Sequence, residues 1–283
     1  MCAQVYFDVA RDTVNKMAIA LMHGGPTPLE PEPEPEPHAD TLHQHPCMDI
    51  TEDGVIGVDD LLGLLAAFGG PVAALHVFDG HPHAPTIGAV DILLLLPDYG
   101  HDISGGCIAP IIGDASTYLD AVVTVAAASA TGYTTYTLTA SLHGTAANLY
   151  SIEGTADGRM EIPPAFQVAV PFGVDCGGVN PAFFAIMPDS QYDSWLSVGV
   201  TDGTVGELTT LGVDFAAWTE SAGLSVDNGA VFWMHPSAAP GGDVVVAQLT
   251  VRSGSSGAVT MGMQGHSTSG PDWDVHHAVF AYP

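Results

Sequence analysis

Lysine and arginine are nearly missing from this chain: 4 stand against 32 aspartates and glutamates, a formal charge of -28 at pH 7. So acidic a surface excludes phosphate-backbone binding as a main activity, because nucleic-acid binders neutralise phosphates with basic side chains. It equally excludes electrostatic attraction to anionic membranes. Long apolar runs are absent too, and Ile92 to Leu96 falls far short of a membrane span. The four cysteines, Cys2, Cys47, Cys107 and Cys176, form no CxxC pair, which removes closed zinc patterns and thioredoxin-like redox motifs. Cys47 and Cys107 could form a disulfide in an oxidising compartment, but all three pairings, and free buried thiols, stay open. No N-x-S/T sequon and no G-x-S-x-G elbow occurs. Asp8 and Asp12 stand where a secretory leader would be basic, and Met17 to Met22 is too short for its apolar core.

What is present falls into blocks. A length of 283 residues exceeds one ordinary domain and predicts two. Val14, Met17, Ala18 and Leu21 recur at helical spacing, predicting a short amphipathic helix within residues 1–23. Residues 24–46 read as a linker, since the Glu-Pro repeat from Glu30 to Pro37 imposes an extended, polyproline-like backbone stretched by glutamate repulsion. Residues 47–103 carry the clearest motif, 104–119 a connector, and 120–283 a segment rich in Val, Thr, Tyr and Gly.

The motif is DITEDGVIGVDDLLGLLAAFG, Asp49 to Gly69. With Asp49 first in a twelve-residue loop, Thr51, Asp53, Val55 and Gly57 take the alternating ligand positions and Asp60 closes the loop, the EF-hand spacing. Calcium needs six to eight oxygens. Asp49 and Asp53 offer carboxylates, Thr51 a hydroxyl, Val55 its backbone carbonyl and Asp60 a final carboxylate, with water expected at Gly57. Gly54 occupies the sharp turn that needs positive φ. Two positions depart from an ordinary EF-hand: Thr51 replaces Asp or Asn, and Asp60 replaces a bidentate Glu.

An aspartate closing the loop and leading into a leucine-rich helix resembles the dockerin type I repeat, through Asp49, Asp53, Gly54, Asp60, Leu61 and Leu64, with Ile56 standing for its valine. The resemblance implies two loop-helix repeats that need Ca2+ to fold and dock on a protein partner through their helices; here Leu61, Leu62 and Leu65 would divide between core and partner. A second copy does follow. A shift of 31 residues, Ile56 to Ile87, also lays Gly88 on Gly57, Asp91 on Asp60 and Tyr99-Gly100 on Phe68-Gly69. Its ligand positions hold Gly80, Pro82, Ala84 and Pro85, so this loop should not bind calcium. His76, His81 and His83 match no metal spacing and read as solvated side chains.

From Asp120 onward, short alternating segments predict a β-sandwich or jelly roll. In the clearest, Tyr136, Leu138, Ala140 and Leu142 alternate with Thr137, Thr139 and Ser141. Leu149 to Ile152, Phe166 to Val170, Trp195 to Val200, Val231 to Met234, Val245 to Arg252, Val259 to Met263 and Ala278 to Tyr282 read as further strands. The expected fold is therefore multidomain, α plus all-β: a small helical calcium module followed by the sandwich. His235, His266, His276 and His277 show no recognisable catalytic partners. Trp195 and Trp233 read as core, whereas Trp218 and Trp273 lie among loop-like residues and are candidate exposed contacts for a glycan. The expectation is a non-enzymatic, calcium-binding assembly or adhesion protein, extracellular or at the cell surface although no leader is visible. The competing expectation is a carbohydrate-active protein, either a binding module or a hydrolase using a carboxylate pair.

Overall fold

The computed structural model describes residues 3–4, 48–51, 53–71, 86–100, 110–204, 206 and 208–283. The amphipathic helix, the Glu-Pro linker, the second loop with its three histidines, and Cys2, Cys47 and Cys107 lie outside these residues.

In chain order, strand β1 (Ala3–Gln4) precedes helix α1 (Val58–Ala67) and helix α2 (Ala89–Leu95), which runs into a 3-10 turn at Leu96–Asp98. Then come β2 (Ile111–Ile112), the one-turn helix α3 (Ala115–Tyr118), β3 (Leu119–Val125), β4 (Tyr133–Leu142), β5 (Ser151–Gly154), β6 (Met160–Ile162) and β7 (Trp195–Leu196). The chain closes with β8 (Leu208–Leu211), β9 (Leu224–Val226), β10 (Gly229–Trp233), β11 (Asp243–Arg252), β12 (Gly257–Gly265) and β13 (Trp273–Tyr282).

Two sheets form. The larger runs β1-β8-β10-β5-β12-β13-β2, with β6 and β9 attached beside β12, and the smaller runs β3-β4-β11-β7. Their inner faces share one core, with Leu138, Val246 and Leu249 of the small sheet meeting Ile152, Met263 and Phe280 of the large one. This is the sandwich that alternating side chains call for. On β4 the pattern holds: Tyr136, Leu138 and Ala140 are buried while Thr137, Thr139 and Ser141 are half-buried. On β11 a bulge between Val245 and Ala247 shifts the register, so Val244 and Val246 point inward above it and Ala247, Leu249 and Val251 below.

Several boundaries move. Residues 3–4 are a strand paired in parallel with Thr209–Thr210. The connector contributes β2, which pairs with the start of β13. Phe166 to Val170 forms no strand, because its backbone is bonded elsewhere. Val168 N donates to Asp193 Oδ1 at 2.7 Å and Val174 N to Oδ2 at 2.6 Å, so one buried carboxylate pins both ends of a loop.

The helical pair covers the outer face of the large sheet. Ile56, Leu61, Leu64, Ile87, Ile92 and Leu95 form a second core that also contains Tyr150, Ala230 and Phe232 from the sheet side. Burial against those residues is what gives two such short helices their stability, since isolated helices of this length are marginal in water.

Candidate functional site

The loop before α1 is knit by its own carboxylates. Asp49 accepts from Asp53 N at 3.1 Å and Gly54 N at 2.9 Å, and Asp53 Oδ1 accepts from Val55 N at 2.9 Å. Asp60 Oδ1 accepts from Thr51 N at 2.9 Å and Thr51 Oγ1 at 3.1 Å, while its Oδ2 accepts from Gly57 N at 2.8 Å. Gly54 turns the chain at φ +85, a conformation that costs glycine nothing. Asp60, fully buried, thus caps the helix start and ties the loop to it. Among the described residues, no three His, Cys, Asp or Glu side chains converge as a ligand cluster. The donor set expected from the sequence also includes the Thr51 hydroxyl and the Val55 carbonyl, which complement three carboxylates on one loop.

The second repeat copies the first in its backbone. Gly57 and Gly88 begin their helices at φ -135 with ψ -166 and -168, and Gly88 N donates to Asp91 Oδ2 at 2.6 Å as Gly57 N does to Asp60. The repeats also exchange bonds. Gly69 N donates to Ile87 O at 2.8 Å and Gly100 N to Ile56 O at 2.6 Å, so each helix ends on the loop of the other repeat. Ile56 and Ile87 side chains turn into the shared core.

The expected docking leucines separate. Leu61 and Leu65 are core, whereas Leu62 is 53% exposed beside Val58 at 51% and Val55 at 42%. The two tryptophans expected to be exposed are not: Trp218 is 3% and Trp273 0% accessible. Trp218 Nε1 donates to Pro163 O at 2.9 Å. Trp273 is the first inward residue of β13 and stacks on Tyr118 with centroids 5.4 Å apart. Its polar neighbours Asp272 and Asp274 suggested a loop, yet Asp272 directly precedes the strand and Asp274 is its first outward residue.

Those two aspartates assemble a polar tract. His266 Nδ1 lies 2.8 Å from Asp272 Oδ2, and Tyr150 Oη donates to the same oxygen at 3.0 Å. Asp272 therefore favours the tautomer with the proton on Nδ1 and the lone pair of the neutral ring on Nε2. Burial, reinforced by the Asp272 charge, pushes the Tyr150 phenol well above its ordinary value. His266 and Asp272 line a cavity of about 320 Å³ with Ser237, Ser267, Pro271 and, from the end of the helical pair, Asp98. The ring is held by Asp272 through Nδ1, which makes this an oriented acid-base pair beside Ser237 and Ser267. Sequence reading missed the pair. Gly265 and Trp273 are register partners across the β12-β13 hairpin, which sets His266 and Asp272 opposite each other at its mouth. Farther along, His276 Nε2 stands 3.7 Å from Asp274 Oδ2, and that carboxylate raises the imidazole pKa against partial burial.

Cys176 is disulfide-bonded. No helix among the described residues is long and apolar enough to cross a membrane. Comparison of the chain with family models, with curated proteins and with solved structures returns no match.

Proposed function

We propose that this is a calcium-binding, non-catalytic assembly or adhesion protein whose dockerin-like helical pair docks on a protein partner. The observation that carries the reading is the Asp49 to Asp60 loop, where three carboxylates, a hydroxyl and a glycine at positive φ fall at calcium-loop spacing and lead into a helix. The docking surface is the outward side of α1. Val55, Val58 and Leu62 supply exposed apolar area there, and the neighbouring acidic residues favour a partner with a basic rim. A disulfide at Cys176 and a calcium requirement both fit an extracellular or cell-surface setting. The carbohydrate-active alternative loses its stacking platform, because Trp218 and Trp273 are core. The loop is tested on the full chain by calorimetric titration with calcium. Asp53→Ala is expected to lower the stoichiometry by one ion per chain, and unchanged stoichiometry would refute the assignment.

A further inference from the structure

Apart from the loop, the outer face of the large sheet holds a group of buried oxygens with nothing to bind. Ser151 and Glu153 are outward residues of β5; Gln264 of β12 pairs in register with Ser151 on one side and with Asp274 of β13 on the other. The four residues therefore occupy adjoining outward positions on three neighbouring strands. Ser151 Oγ, Glu153 Oε2, Gln264 Oε1 and Asp274 Oδ1 are all buried and, among the described residues, all without a hydrogen-bond partner. The side chains are deep: Ser151 is 0%, Glu153 2% and Gln264 1% accessible. Leaving a buried polar atom unsatisfied is costly, the more so when it is charged, so four in one place call for a common partner.

The sheet makes room for one. Gly262 stands opposite Glu153, and a Cβ there would come within 3.0 Å of Glu153 Oε1. The absent side chain lets Glu153 reach over β12 towards β13. At the same point β13 bulges, with His276 and His277 both falling between the register pairs Met263↔Val275 and Met261↔Ala278. Asp274 keeps 16% of its side chain accessible, leaving a way in from solvent.

The unpartnered atoms are two carboxylate oxygens, an amide carbonyl and a hydroxyl, an oxygen set that suits a hard cation. We propose that Ser151, Glu153, Gln264 and Asp274 form a second calcium-class cation site, within the sheet and independent of the Asp49 to Asp60 loop. The two carboxylates balance the charge of a divalent ion.

The test is equilibrium dialysis of the full chain against calcium after chelation, with metal counted by mass spectrometry. Asp53→Ala, which disables the loop, is expected to retain one ion per chain; Asp53→Ala combined with Glu153→Gln is expected to retain none. Ser151→Ala removes only a neutral donor and should weaken the remaining site about tenfold or more, which covers the case where the double variant fails to fold. An Asp53→Ala chain that folds and holds no ion overturns the proposal, as does an ion that survives both Glu153→Gln and Ser151→Ala; either outcome would assign the oxygens to a proton shared by Glu153 and Asp274. If instead the wild-type chain holds one ion that Glu153→Gln abolishes and Asp53→Ala spares, the sheet site stands and the loop assignment falls.

Discussion

Phe232→Ala is the perturbation that asks whether the helical pair is a module or part of the sandwich. Phe232 is 1% accessible and belongs to the core shared by α1, α2 and the outer face of the sheet. Truncating a buried phenylalanine costs about 3–5 kcal/mol, the transfer term plus the cavity left behind. For a chain of this size, this converts to a drop in Tm of roughly 6 to 20 °C. The informative assay is native-state hydrogen exchange resolved by peptide, because it assigns the loss to segments. Amides in Val58–Ala67 and Ala89–Leu95 should lose protection together with those of β10 (Gly229–Trp233), by the same free energy. Helix amides that keep wild-type protection while β10 loses its own would refute the shared core and return the helices to an autonomous module.

Other outcomes follow from single groups. Burial raises the Asp193 carboxyl from 3.8 to about 7, with Val168 and Val174 N–H pulling the other way. A carboxyl that binds its proton more tightly folded than unfolded gives stability that is complete below its unfolded pKa and is lost as pH rises through the folded one. With chelator present, the urea midpoint should therefore rise as pH falls from about 7 towards 3.8. Asp193→Asn should flatten part of that slope, and a wild-type midpoint that falls over the interval would contradict the assignment.

The sandwich was legible wherever one strand face is apolar and the other polar, as on β4, and the 31-residue repeat was legible because Gly57, Asp60 and Gly69 recur as Gly88, Asp91 and Gly100. What escaped depends on partners distant in sequence. Phe166 to Val170 has strand composition, but the Val168 amide goes to the Asp193 side chain, a competition no local pattern reveals. Trp273 sits between two aspartates and reads as loop until β12 supplies the register that turns it inward. The same missing register hid His266 from Asp272, and Glu153 from Gln264 and Asp274. The sequence left Leu61, Leu62 and Leu65 divided between core and partner; that Leu61 and Leu65 share a core with Phe232 of this same chain is tertiary information.

The bonds exchanged between the repeats bear on how a duplicated segment ages. Gly69 to Ile87 and Gly100 to Ile56 are contacts between main-chain atoms, which persist through most side-chain replacements. Side-chain replacements in the second repeat are therefore expected to be tolerated where its main-chain atoms make the bonds, whereas deleting it would leave α1 without the carbonyl on which it ends. Mutational tolerance should be read separately there for side chains and for insertions or deletions.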